Sequence, residues 1–184
     1  MERADAARNR QAVLQATDRL LAETGPDGLS LDRVAAAAGV GKGTIFRRFG
    51  NRTGLFQALL ADRAARIATA IDAAPGPLGT EAPATERLPA FLDALCGLAT
   101  ENLALIAAHE QACADDRFTA PTYRRWHTHV QALLAQIRPE ADADFLAHVL
   151  LGCFDGELVR QMIDHGGPER LRAAVRDLTA TLTE

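Results

Sequence analysis

Lys42, Thr44, Arg47 and Arg48 lie close together, spaced so that a helix over Lys42 to Phe49 turns them mainly outward while Ile45 and Phe49 face inward. Ammonium and guanidinium groups beside a hydroxyl, on one exposed helix face, suit hydrogen bonds to phosphates and base edges. Just upstream, Ser30 can cap a helix whose inward positions are Leu31, Val34, Ala35 and Ala38. Gly39 can end that helix, because glycine tolerates the positive φ of a helix C-terminus. Gly39-Val40-Gly41 is too short to do more than turn the chain, so the stretch predicts a helix-turn-helix with a cationic second helix.

Other side chains with chemical potential are scattered. His109 and Cys113 share a helix face at i, i+4 with Glu110 adjoining, but two donors are an incomplete metal site and core packing explains them better. His127 and His129, at i, i+2, point apart and are not expected to chelate together. Cys96, Cys113 and Cys153 are widely spaced and form no CxxC, which points to reduced thiols. A helical enzyme using His109, Cys113 or His127 would need a nucleophile, base and orienting group in sequence-readable order, and none is seen. No catalytic residue, metal or cofactor is therefore expected.

The elements that must position the cationic helix follow from composition and periodicity. Of 184 residues 48% are hydrophobic and only 5% aromatic, with heavy use of Ala, Leu and Arg, so an all-α fold is predicted. The net charge of −4 hides a division: residues 1–52 carry nine Lys/Arg against six Asp/Glu, a net of +3, and the remainder is −7. A basic first quarter on an acidic body suits a protein that touches DNA with one end only. The N-terminus lacks the apolar run of a signal peptide and no stretch approaches a membrane span, which predicts a soluble, cytoplasmic chain without membrane contact.

Asp5 to Thr24 reads as a first helix, with Val13, Ala16, Thr17 and Leu20 as its apolar stripe and Gly25-Pro26-Asp27-Gly28 as its stop. Thr17 can pack its methyl inward and return its hydroxyl to a carbonyl one turn earlier. Asn51 can cap a further helix carrying Leu55, Phe56, Leu59, Leu60, Ile67 and Ile71 as far as Asp72. The Pro- and Gly-rich stretch 73–85 then breaks helicity. The expected division is a helix-turn-helix domain over 1–50, a connecting helix over 51–72, and a helical bundle over 86–184. Within the bundle, Asp142 to His165 is expected as one long helix. Leu171, Val175, Leu178 and Leu182 recur at i, i+4, i+7 and i+11, a narrow seam for helix-to-helix contact. With Leu146, Leu150, Gly152 and Gly156 they form the expected dimer surface, the competing reading being a seam within one subunit. Phe91, Phe118, Tyr123, Trp126, Phe154 and Met162, with His109 and Cys113, are the candidate lining of a ligand pocket, each also a candidate core residue.

Over residues 8–60 the chain closely resembles the tetracycline-repressor (TetR) family of bacterial transcription regulators. The resemblance rests on Ser30, Val34-Ala35, Gly39-Val40, Gly43-Thr44-Ile45-Phe46, Phe49 and Arg52. Phe46 stands where the family commonly has tyrosine and Gly41 where it commonly has serine. The resemblance implies a homodimer that binds double-stranded, pseudo-palindromic operator DNA and is released by a small-molecule effector held in the helical bundle. Ser30, Lys42, Gly43, Thr44, Phe46, Arg47, Arg48 and Arg52 are then the expected DNA-binding residues. The alternative is a helical interaction or small-molecule-binding module without DNA binding.

Overall fold

The computed structural model of the chain describes residues 2–73, 76–103, 105, 106, 118 and 120–183. Among them there is no strand, as the composition predicts. The helices are α1 (Glu2–Thr24), α2 (Leu31–Ala38), α3 (Lys42–Phe49), α4 (Arg52–Asp72), α5 (Ala84–Glu101), α6 (Pro121–Ile137), α7 (Ala143–Gly152), α8 (Gly156–Asp164) and α9 (Gly167–Thr183). Contacts divide the chain into two compact units, Met1–Asp62 and Arg63–Glu184, and α4 runs through the boundary.

The first unit is built on α1, α2, α3 and the start of α4. Val13, Leu14, Ala16 and Leu20 of α1 are buried, as are Val34 and Ala35 of α2, Ile45 of α3, and Leu55, Phe56 and Leu59 of α4. Thr17 is fully buried among them, and its hydroxyl donates to the Val13 carbonyl at 2.8 Å, which removes the cost of a buried polar group. Ser30 caps α2, its hydroxyl accepting from Arg33 N at 3.2 Å. Gly39 ends α2 at φ 65°, left-handed geometry that suits glycine.

The join between α3 and α4 is tighter. Gly50 has φ 72° and ψ −69°, and Asn51 N donates to the Phe49 carbonyl at 2.8 Å. This is the γ-turn with positive φ, which a Cβ disfavours. Asn51 Oδ1 then accepts from Gly54 N at 2.9 Å, opening α4. A Cβ at Gly54 would stand 2.0 Å from the Phe49 carbonyl oxygen, so glycine there is a condition of the close return of the chain.

In the second unit, α5 packs against α6, α8 and α9, while α7 packs on α6 and α8 on α9. Its core holds Leu88, Phe91, Leu92 and Leu95 of α5, Val130, Leu133 and Leu134 of α6, Leu150 and Leu151 of α7, Val159 of α8, and Leu171 and Val175 of α9. Arg172 Nη1 meets Asp93 Oδ1 at 2.7 Å, tying α9 to α5 at the surface. Pro121 opens α6 at its first turn, as its missing N–H allows.

One predicted element differs. The long helix expected over Asp142 to His165 is two helices, α7 and α8, separated at Cys153 to Asp155. Asp155 is the cause: its carboxylate accepts from Glu157 N at 3.2 Å and Leu158 N at 3.3 Å, the capping geometry that starts a new helix.

Candidate functional site

The exposed face of α3 is the first candidate. Ile45 is fully buried and anchors the helix against its neighbours, which leaves Lys42, Phe46, Arg47 and Arg48 exposed. These side chains do not all have the same freedom. Arg48 Nη1 donates to the Ala6 carbonyl at 2.6 Å, holding the last turn of α3 to the start of α1. Arg52 donates to the Pro26 carbonyl, lies 3.8 Å from Asp27 and stacks over the Phe56 ring at 5.2 Å. Both are thus engaged by their own unit. Lys42 pairs with Asp32 at 2.7 Å, but both side chains are more than half exposed, and a surface pair of that kind contributes about 0–1 kcal/mol. It opens readily for a stronger anion. Arg47 is exposed and has no hydrogen bond or ion pair among the described residues.

Gly43 is exposed, and a Cβ placed on it would meet nothing within 4 Å. Its glycine is not required by packing inside the chain. Thr44 is half-buried, with its backbone N–H donating to the Gly41 carbonyl at 2.9 Å. Gly41 caps α3 without a side-chain hydrogen bond, so the first turn of α3 keeps N–H groups free to meet an anion. Phe46 is 46% exposed and Lys42 lies 6.0 Å from its ring centroid. The face of α3 therefore presents Lys42 and Arg47 as exposed cations not bound to neighbouring backbone, an open backbone and one aromatic ring.

The second candidate lies in the other unit. A cavity of about 470 Å³ is lined by Phe118, Tyr123, His148, Val149 and Gly152. Phe118 meets both Tyr123 and His148 edge-on, with ring centroids 5.3 and 5.4 Å apart. The Tyr123 hydroxyl and His148 Nδ1 lie 2.6 Å apart. An apolar wall with a phenol and an imidazole suits a small molecule with a polar end.

Of the residues expected to line a pocket, Phe118 and Tyr123 border this cavity. Phe91 does not: it is fully buried in the core, edge-on to Trp126 at 6.4 Å and to His129 at 4.9 Å. Trp126, Phe154 and Met162 are partly buried against the same core. His109 and Cys113 lie outside the described residues.

The expected dimer seam also turns inward. Leu150, Leu171 and Val175 are buried in the core of their own chain, Gly156 is buried, and Leu146 and Leu182 pack partly against that core. A leucine repeat satisfies an internal helix pair as well as a partner's helix, and here α9 is paired with α5 and α8. Leu178 is exposed and Gly152 opens on the cavity. The exposed apolar positions of α7 fall one residue earlier than expected, at Phe145 and Val149.

Two thiols, Cys96 and Cys153, and one histidine are shifted by burial. Burial, then Asp93, pushes the Cys96 thiol up to about 11, and burial raises that of Cys153, so neither is a ready nucleophile. Burial, then the positive charge of Arg87, lowers His129, whose Nε2 is buried with no hydrogen-bond partner among the described residues.

Sequence reasoning missed Asp144 and His148. They stand at i, i+4 on α7 and meet His127 of α6, with their ligand-type atoms all within 4.8 Å of one another. The i, i+4 spacing was the available signal.

Comparison with known proteins bears on both units. Residues 13–59 match the family model described as bacterial regulatory proteins, tetR family. Over 63 residues the chain is 38% identical to the HTH-type transcriptional repressor AcnR of Corynebacterium glutamicum, a match covering 34% of each chain. The aligned stretch thus spans about a third of the length of that curated relative. Among solved structures, a putative TetR-family transcriptional regulator from Rhodococcus sp. superposes with a TM-score of 0.70 at 22% identity, over 97% of this chain and 100% of that one. A TetR transcription regulator from Haloarcula marismortui gives 0.71 at 21% identity, over 96% and 97%. These likenesses extend the shared fold from the helix-turn-helix through the bundle.

Proposed function

We propose that this chain, similar to the TetR family of bacterial regulatory proteins over residues 13–59, is a cytoplasmic transcriptional repressor that leaves its operator when a small molecule binds. One observation carries the reading: Lys42 and Arg47 are exposed on the second helix of a helix-turn-helix, Lys42 held only by a surface pair with Asp32. That is the helix whose N-terminal half meets base edges in the major groove. Thr44, Gly43, Ser30 and the N–H groups at the start of α3 are suited to phosphates, which set register. Arg48 and Arg52 hold α3 and α4 to neighbouring backbone and so act as positioning residues.

Two recognition helices reach successive major grooves when they are roughly 34–36 Å apart, so a homodimer and a pseudo-palindromic operator follow. Phe145 and Val149 on α7, with Leu158 on α8 and Leu178 on α9, supply exposed apolar surface for that dimer. The cavity beside Tyr123 and His148 is the effector site. A molecule that fits only the conformation unable to span two grooves weakens DNA binding, and DNA weakens its binding by the same factor.

Fluorescence anisotropy on the DNA flanking the gene tests the reading. A saturable shift at nanomolar to micromolar protein, weakening steeply with salt, is expected. Binding that is equally tight on unrelated DNA would overturn the operator, and none at all would leave the interaction module without DNA binding in its place. Light scattering that gives a monomer at the same concentration would remove the dimer.

A further inference from the structure

We propose that His127, Asp144 and His148 form a binding site for a divalent transition-metal ion of the zinc class. The three come from two packed helices: His127 from α6, Asp144 and His148 from one face of α7. One ligand atom from each lies within 4.8 Å of the others. Donors around tetrahedral zinc, at bond lengths of about 2.0–2.1 Å, stand about 3.3–3.5 Å apart. The groups therefore need to close by roughly an ångström, within the reach of side-chain rotation.

The details favour an ion over a simple polar cluster. The His127 and His148 rings lie with centroids 4.1 Å apart and planes 37° from each other, which brings both imidazoles to one place between α6 and α7. His127 Nε2 is 3.2 Å from the Asp144 carbonyl oxygen and 3.6 Å from its Oδ1, an ion-pair distance when the ring is protonated, so ring and carboxylate already meet at one point. The Asp144 side chain is 61% exposed and can swing, while that of His127 is 12% exposed and fixed by its neighbours. His148 is oriented from behind. Its Nδ1 is 2.6 Å from the Tyr123 hydroxyl, a contact that fixes the ring as a partner behind a histidine ligand does. Tyr123 also stacks on both rings, at 5.9 Å from His148 and 6.1 Å from His127.

Two imidazoles and one carboxylate select the class of ion. Calcium and magnesium prefer all-oxygen shells, whereas zinc, cobalt(II) and nickel(II) bind nitrogen with carboxylate. Three protein donors leave at least one position for water or for an oxygen donor, and His148 is also part of the cavity wall. An ion here would stand beside any molecule in that cavity.

The site is separable from DNA binding and is tested on the protein alone. The full chain, without an affinity tag and stripped with EDTA, is titrated with cobalt(II) and then zinc, following visible d–d absorption and heat. One equivalent per chain is expected, with zinc displacing cobalt, magnesium failing to compete, and zinc raising the melting temperature. His148→Gln and Asp144→Asn should each weaken binding at least about tenfold, and Tyr123→Phe by about tenfold through loss of the orienting contact. Asp144 is exposed, so Asp144→Asn keeps the test sound if a histidine variant fails to fold; circular dichroism checks each. No binding at one equivalent, equal affinity for magnesium, or undiminished binding in folded His148→Gln and Asp144→Asn would overturn the proposal.

Discussion

The face of α3 and the cluster between α6 and α7 show two ways of making a site from helices. On α3, Lys42, Thr44, Phe46 and Arg47 come from one helix of eight residues, and the burial of Ile45 alone settles which way they point. In the second unit, His127 meets Asp144 and His148 only because α6 and α7 pack together. A site on one helix face is fixed by periodicity, whereas a site shared by two helices is fixed by their packing. The same contrast governs which cations remain available. Arg47 and Arg48 are adjacent in sequence, yet Arg48 reaches the Ala6 carbonyl of α1 while Arg47 stays exposed.

The largest expected effect tests whether the second unit separates core from site. Phe91→Ala should destabilise the chain by about 3–5 kcal/mol in urea unfolding, because the ring is fully buried against Trp126 and His129. A loss below about 1 kcal/mol would return Phe91 to the wall of a cavity. The next effect divides the two arginines. Arg47→Ala should cost about 1–3 kcal/mol of specific DNA affinity with an unchanged melting temperature if it reads a base, and lower the salt slope by about one if it holds a phosphate. Arg48→Ala should instead weaken the hold of α3 on α1, lowering the melting temperature and affecting DNA only secondarily. Equal losses of affinity at unchanged stability would erase the distinction between them.

What could be read from the sequence follows the same division. The caps at Ser30 and Asn51, the left-handed end at Gly39 and the return of the Thr17 hydroxyl all act within a few residues, so local chemistry announces them. The break at Asp155 was also local, but the apolar run around it suggested a continuous helix and the capping carboxylate was passed over. The seam on α9 is covered in part from within the chain: Leu171 and Val175 face their own core, while Leu178 is exposed. Periodicity shows that a face is apolar, not which surface covers it. Nor could spacing reveal that Arg52 turns back to Pro26, a contact set by the loop between α1 and α2.

A smaller effect sharpens the reading of α3 itself. Gly43 has open space around its missing Cβ, so Gly43→Ala should stabilise the fold by up to about 1 kcal/mol through helix propensity. The same methyl would stand between the helix and the DNA backbone, and specific affinity should fall. Stability and binding would then move in opposite directions, which thermal melts and anisotropy on one preparation resolve. If both rise, the glycine has no part in close approach.

The smallest expected effect returns to the second unit and to a histidine that belongs to neither site. Burial, and then Arg87, lowers His129 from the ordinary 6.5, so the folded chain resists protonation at a pH where the unfolded chain accepts it. The unfolded state therefore binds more protons below about 6.5, and by linkage stability falls as pH drops from there towards the folded value, then levels off. Above that window His129 is neutral in both states and contributes no slope. His129→Leu should remove this part of the pH dependence, and it also deletes a buried Nε2 that has no hydrogen-bond partner among the described residues, so stability at neutral pH should hold or rise. Urea midpoints at pH 5.5 and 7.5 measure both consequences. An unchanged difference between the two midpoints in His129→Leu would mean that the acid sensitivity arises elsewhere, with the exposed His165 and the paired rings of His127 and His148 next to be replaced.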